Sequence, residues 1–169
     1  MTSNAVNLRE VKLLQELSEE DLQSLVQAGE ILSFEALAMI NSTLDAAIAD
    51  PACSVELLAY DLNEPDILAR LEKLKDRLKA VIDDSDEHGQ PTSAESLAAT
   101  RLRASAGANN VRRTHYRRFQ HQKVLIVKRS NVPVLVLFGS TNFSFRGLYI
   151  QANNLVAVQS PEVAGLFSQ

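Results

Sequence analysis

A histidine and a lysine two residues apart, His121 and Lys123, are followed along the chain by Gly139-Ser140-Thr141-Asn142. The stretch gathers a nucleophile, a cation and neutral hydrogen-bond donors, the parts that displacement at a phosphodiester requires. The surrounding sequence says how they are held. Residues 119–128 read as an apolar strand, Arg129-Ser130-Asn131 as a polar break, and residues 132–139 as the returning strand. Side chains alternate along a strand, so His121 and Lys123 are expected on one face, with Gly139 to Asn142 where the second strand ends and the chain turns. One site can hold all of them.

The pattern of His121, Lys123, Gly139, Ser140 and Asn142 resembles the half-site motif of the phospholipase D superfamily, His-x-Lys, four residues, Asp, then Gly-Ser-x-Asn. The run from Gly139 to Asn154 is similar to a bacterial branch of it. The resemblance covers about residues 50 to 169. It implies one half of the family fold: a strand over 55–60, a helix, a strand over 78–82, a helix, then the motif strands. Two positions depart from the pattern. Lys128 stands where the motif has Asp, and Asn153 where many members carry an acid. Lys128 is an odd number of residues from His121, so an unbulged strand turns it to the opposite face. At Asn153 an amide orients an imidazole less well than a carboxylate does.

What the resemblance implies chemically follows from these residues. His121 attacks phosphorus and forms a phosphohistidine, so neither metal nor other cofactor is expected. Lys123 neutralises a phosphate oxygen, while Ser140 and Asn142 donate to the charge of the transition state. Gly139 lets the backbone approach the phosphate, and a helix after Asn142 would aim amide donors the same way. A second histidine must protonate the leaving group. The chain has one His-x-Lys only; His88 lies in an acidic loop, and His115, of equal strand parity with His121 if the segment is unbroken, reads as packed or solvated beside Arg117. The second half-site is then expected from the same longer chain or from a homodimer.

Charge is unevenly spread. Residues 1–95 hold 20 of the 21 acids, whereas residues 96–161 hold none and ten bases, which the net charge of −4 conceals. Those bases surround the motif and would attract an anion, unless they simply pair with the acidic half. Arg117 and Arg118, just ahead of the catalytic strand, are candidate grips for the phosphates of nucleic acid or a lipid headgroup region.

The remainder reads as scaffold. One helix starts near Ser18 and stops at Gly29; another runs over 34–49 with an apolar stripe of Leu37, Ile40, Leu44 and Ile48. Asp61, Asn63 and Glu64 read as turn and cap residues, and residues 83–91 as a polar loop whose spacing is wrong for calcium. The single Cys53 excludes an internal disulfide, and no apolar run is long enough to span a bilayer, so a cytoplasmic protein is expected. The last residues read as the opening of a helix at Pro161, an expectation of a longer parent chain.

The sequence thus predicts an α/β fold with a mixed central sheet flanked by helices: an N-terminal helical segment over 1–50 and a phospholipase D-like half-domain over 51–169, truncated at its C-terminal end. The expected function is a phosphodiesterase acting on nucleic acid or phospholipid. The competing reading is a degenerate half-site that binds phosphate-containing ligands or pairs with an active half.

Overall fold

The computed structural model describes residues 35–115 and 120–168. The helix expected between Ser18 and Gly29 lies outside the described residues, as do Arg117 and Arg118. The first described element is α1 (Glu35–Ala49), which buries Leu37, Ile40, Leu44 and Ala47 on one side. The expected stripe is present, with Ile48 only partly covered. The guanidinium of Arg77 closes its C-terminal end, donating to the carbonyls of Ala47, Ile48, Asp50 and Cys53 at 2.7–3.1 Å. A cation there offsets the negative end of the helix dipole and satisfies carbonyls that have no partner within the helix.

Strand β1 (Cys53–Ala59) alternates buried and half-buried residues along its length. It leads into α2 (Pro65–Leu74), β2 (Leu78–Asp83), α3 (Ala94–Ala106) and β3 (Val111–Thr114). Both β1–β2 and β2–β3 pair in parallel, the arrangement that helical crossovers impose. The chain then returns through β4 (Lys123–Arg129) and β5 (Val132–Gly139), passes the short helix α4 (Phe145–Tyr149), and adds β6 (Leu155–Val158) and α5 (Pro161–Phe167). These last three strands pair antiparallel, giving one six-stranded mixed sheet in the order β3-β2-β1-β4-β5-β6.

The main core lies on the face covered by α1, α2 and α3, where Val55, Leu57, Leu71, Ile82, Leu102, Leu125 and Leu137 are buried. A smaller cluster of Val124, Ile126, Val136 and Ala164 occupies the other face beneath α5. Since α1 contributes to the main core, residues 35–49 pack as one body with the sheet.

The β4–β5 hairpin turns at Ser130 and Asn131, whose φ values of 49° and 66° are those of a two-residue type I′ turn. A bulge interrupts the β4–β5 register beside Val127 and Lys128. Pairing of β4 with β1 is regular from Lys123 to Arg129, so the extra residue belongs to β5 and alternation along β4 is intact. Lys128 therefore shares the face of Val124 and Ile126, opposite to Leu125 and Val127. Its ammonium lies 2.7 Å from Glu56 Oε1 on the neighbouring strand.

That pair is mostly covered, the two side chains being 15% and 22% exposed. Lys128→Ala leaves Glu56 without its cation, and should cost roughly 1–3 kcal/mol of stability, between the exposed and the buried limits for ion pairs. Turnover at the opposite face should be unchanged. Thermal unfolding and steady-state rates on the same preparation check both halves of this expectation.

Strand β4 begins later than the sequence suggests. His121 and Gln122 precede the ladder, and only Lys123 enters it. His115 does not extend toward β4 at all: it follows β3, which β2 and β1 separate from β4. Its ring is exposed and its Nδ1 lies 2.8 Å from Asp84 Oδ1, a contact that raises its pKa. The shared-parity argument for His115 does not apply, because β3 ends at Thr114 and β4 starts at Lys123, so neither histidine lies in a strand. Strand β6, a four-residue edge, gave no clear sequence signal.

Candidate active site

The sheet register brings one set of strand ends together. Ala59 at the end of β1 pairs with Lys123 at the start of β4, and Phe138 near the end of β5 pairs with Val124. Tyr60, the His-x-Lys pair and the Gly-Ser-Thr-Asn turn consequently meet at one edge of the domain. A second link ties the loops there. Phe143 pairs with Leu62 in an isolated bridge, the Asn63 and Glu64 amides donate to the Phe143 carbonyl at 3.2 Å, and the Phe145 amide donates to Asn63 Oδ1 at 2.8 Å.

Tyr60 forms the wall that His121 and Lys123 share. Its ring meets the His121 imidazole edge-on, with centroids 4.5 Å apart, and the Lys123 ammonium lies 4.7 Å from the same ring centroid. Lys123 is 5% exposed, and its Nζ donates to the His121 carbonyl at 2.9 Å. Burial lowers the Lys123 pKa to about 8, against the opposing pull of Asp61 and Asp83. Burial, reinforced by the Lys123 charge, also lowers the His121 pKa from its usual value near 6.5. At neutral pH the imidazole is therefore neutral and nucleophilic while the ammonium is largely charged.

The turn after β5 is rigidly seated. A Cβ on Gly139 would collide with the Asn154 carbonyl and lie 2.8 Å from its Oδ1, so the close approach requires glycine. The Ser140 and Thr141 amides donate to the Asn154 carbonyl, and Ser140 Oγ accepts from the Asn154 amide at 3.0 Å. Ser140 itself is exposed, with its hydroxyl proton still available to a ligand. Asn142 is 7% exposed, and its Oδ1 finds no donor among the described residues. An unpartnered buried amide is costly, so its placement points to a role other than packing. Gly147 allows α4 to close over Asn142, since a Cβ there would lie 2.7 Å from the Asn142 Cβ.

Two expectations are revised by these contacts. The helix following Asn142 exists but is five residues long, and its first amides are taken by Asn63 and Ser144 rather than aimed at a phosphate. Asn153 donates to the Gly147 carbonyl at 2.8 Å and to Gln151 Oε1 at 3.2 Å, bracing the chain after α4.

The acids that act on His121 and Lys123 come instead from β1 and β2. Asp83 is fully buried and accepts from the Ser85 amide and hydroxyl, from the Gln120 amide and from His88. Burial alone would raise its pKa, but these hydrogen bonds hold it below the usual range. One carboxylate thus joins the end of β2, the following turn and the residue immediately before His121. His88 is clamped from both sides, Nδ1 at 2.9 Å from Asp83 and Nε2 at 3.2 Å from Asp61, and its ring lies 4.6 Å from that of Tyr60. In sequence His88 reads as a loop residue and Asp61 as a turn residue; only their meeting in space gives them significance. Asp61, His88 and Glu95 offer three possible metal-ligand atoms within 4.8 Å of one another. Each residue is already engaged in the protein, Glu95 through the Leu62 amide at 3.2 Å.

Among the described residues, folding pairs three of the ten bases with acids. Arg101 pairs with Glu72 at 2.8 Å, Arg129 with Asp50 at 3.1 Å and Lys128 with Glu56, while Arg113 donates to the carbonyls of Asp83 and His88. Arg112 and Arg146 remain exposed. Among the described residues, the strongest concentration of chemistry is the Tyr60, His121 and Lys123 cluster beside the Gly139–Asn142 turn.

A six-stranded mixed sheet carrying this cluster at its strand ends defines a phospholipase D-like domain. The chain belongs to that family: the family model described as cardiolipin synthase, PLD-like domain, matches residues 44–169. Among solved structures it is similar to a phospholipase D family member, Nuc from Salmonella typhimurium, with 29% identity and a TM-score of 0.61 over 79% of this chain and 82% of that one. NucT from Helicobacter pylori shares the fold at 17% identity and a TM-score of 0.54, over 76% of this chain and 84% of that one. Polyphosphate kinase from Porphyromonas gingivalis does so at 15% identity and 0.56, over 76% of this chain but 22% of its own. No curated protein matches. Among the described residues, no helix is long and apolar enough to cross a membrane.

Proposed function

We propose that the chain is a phosphodiesterase half-site in which His121 is the nucleophile. The observation that carries this reading is the pairing of a neutral imidazole with a buried ammonium against one aromatic ring, at the strand ends where the Gly139–Asn142 turn also lies. The His121 imidazole forms a P–N bond as the P–O bond to the leaving alcohol breaks, and water later cleaves the P–N bond. Lys123 offsets the charge on a non-bridging oxygen, while Ser140 and Asn142 supply neutral donors. Family membership supports the same chemistry. Arg117 and Arg118 are proposed to hold phosphates flanking the scissile bond.

Protonating the leaving oxygen requires a second imidazole aimed at the same phosphorus. His115 follows β3, which β2 and β1 separate from β4, and both ring nitrogens of His88 are engaged by carboxylates, so neither is proposed for this role. A second half-site does, from a longer parent chain or from a twin subunit. The substrate is the phosphodiester of a nucleic acid or of a phospholipid.

Cleavage of duplex DNA, of RNA and of phosphatidylglycerol micelles should be measured in parallel, with and without EDTA. Turnover of one of them that survives EDTA is the expected result, since the proposed steps use imidazole, ammonium and hydroxyl groups alone. Activity lost to the chelator and restored by magnesium would defeat the mechanism. Rapid acid-free quench should also trap an acid-labile phosphate on His121.

A further inference from the structure

Tyr60 belongs to no part of the motif, yet its ring touches both residues of the His-x-Lys pair and a further, firmly anchored side chain, His88. We infer that Tyr60 is a positioning residue: its ring fixes the His121 imidazole and the Lys123 ammonium relative to one another, and His88, clamped between Asp61 and Asp83, holds the ring in place. The inference rests on the proposed phosphodiesterase reading and adds to it the device that orients the nucleophile.

The geometry supports each link. His121 lies ahead of the β4 ladder, so backbone pairing does not fix its side chain. Its imidazole meets the Tyr60 ring at 70°, the edge-on arrangement that aromatic pairs favour. The Lys123 ammonium lies over the same ring at 4.7 Å, within the range of a cation–π contact, and donates to the His121 carbonyl. The ring thus bridges the two groups whose relative placement sets the attack on phosphorus.

The support behind the ring is unusually well anchored for a loop. Three residues separate Ser85 from Gly89, yet His88 within that turn bonds carboxylates from two different strands' ends through its two nitrogens. Its carbonyl also accepts from Arg113 Nη2 at 2.6 Å and from Ser93 Oγ at 2.5 Å. Asp83, which holds His88 Nδ1, accepts from the Gln120 amide as well, so the same carboxylate anchors both the support and the backbone entering His121. In this chain Asn153 is engaged with Gly147 and Gln151, and a ring is available to do the orienting.

The test uses the full chain with three variants, Tyr60→Phe, Tyr60→Leu and His88→Gln, each followed by kcat, KM, thermal unfolding and the His121 imidazole proton resonances. Tyr60→Phe keeps the ring and should retain kcat within about threefold. Tyr60→Leu should lower kcat by about thirtyfold or more with KM little changed, because the residue orients the nucleophile without touching substrate. It should also remove the ring-current shift on His121, a readout that does not depend on turnover. His88→Gln cannot reach both carboxylates as the two ring nitrogens do, and should lower kcat by about tenfold with Tyr60 still present.

Undiminished kcat in a folded Tyr60→Leu overturns the inference, and so does a loss in Tyr60→Phe as large as that in Tyr60→Leu. Should Tyr60→Leu fail to unfold cooperatively, His88→Gln carries the decision, and unchanged kcat in it overturns the inference. In a preparation that contains both half-sites, absent wild-type turnover, or turnover unaffected by His121→Ala, defeats the phosphodiesterase reading itself, and the inference falls with it.

Discussion

His121→Ala is expected to abolish turnover, lowering kcat by about four orders of magnitude or more, the scale seen when a covalent nucleophile is removed. The fold should survive. His121 is exposed and stands outside the β4 ladder, so truncation breaks no strand pairing. The stability loss should therefore be about 1 kcal/mol or less. Rapid-quench trapping on both proteins makes the comparison direct: labelled phosphohistidine in the wild type and none in the variant. Turnover unchanged by the substitution would mean that the motif binds phosphate without reacting.

Lys123 should show the second-largest effect. Lys123→Ala removes a preorganised cation from a buried position and should cost about a hundredfold or more in kcat. The pH profile of the wild type carries the same information without mutation. His121 must be neutral to attack, so kcat/KM should rise with pH through its lowered pKa, below 6.5. Lys123 must be protonated to neutralise the phosphate, so kcat/KM should fall as pH passes about 8. The profile is a bell with both limbs displaced to the acid side of free histidine and lysine. An alkaline limb near pH 10 would show that Lys123 is not the group whose charge matters.

The hairpin that carries the motif was legible because its signals are local. Two apolar runs flank Ser130-Asn131, and alternation along β4 from Lys123 places Lys128 on the far face, where it pairs with Glu56. Helical spacing likewise made α1 readable from Leu37, Ile40 and Leu44. The support of the site was not legible, because it is assembled across the sheet. Tyr60, the Asp83–His88 turn and His121 lie far apart in sequence, and neither strand order nor register follows from hydrophobic period alone. The pairing of part of the basic half was hidden for a related reason: Arg101, Lys128 and Arg129 meet acids from the other half only after folding. Strand β6 is short and largely exposed, so it lacks the buried alternation that reveals a strand.

The stitch between residues 61–64 and 143–145 has a thermodynamic consequence. Asn63 and Phe145 are 82 positions apart, and drawing such distant points of a free chain together costs about 4 kcal/mol of loop-closure entropy, before a length-independent constant. Three hydrogen bonds, each worth a net value of about 1 kcal/mol, do not meet that cost alone. Pairing of β1 with β4 has already closed most of the intervening loop, leaving only a short span for the stitch to restrain. The loops around Tyr60 and Asn142 thus inherit their order from the central ladder, and any condition that opens that ladder dissolves their alignment with it.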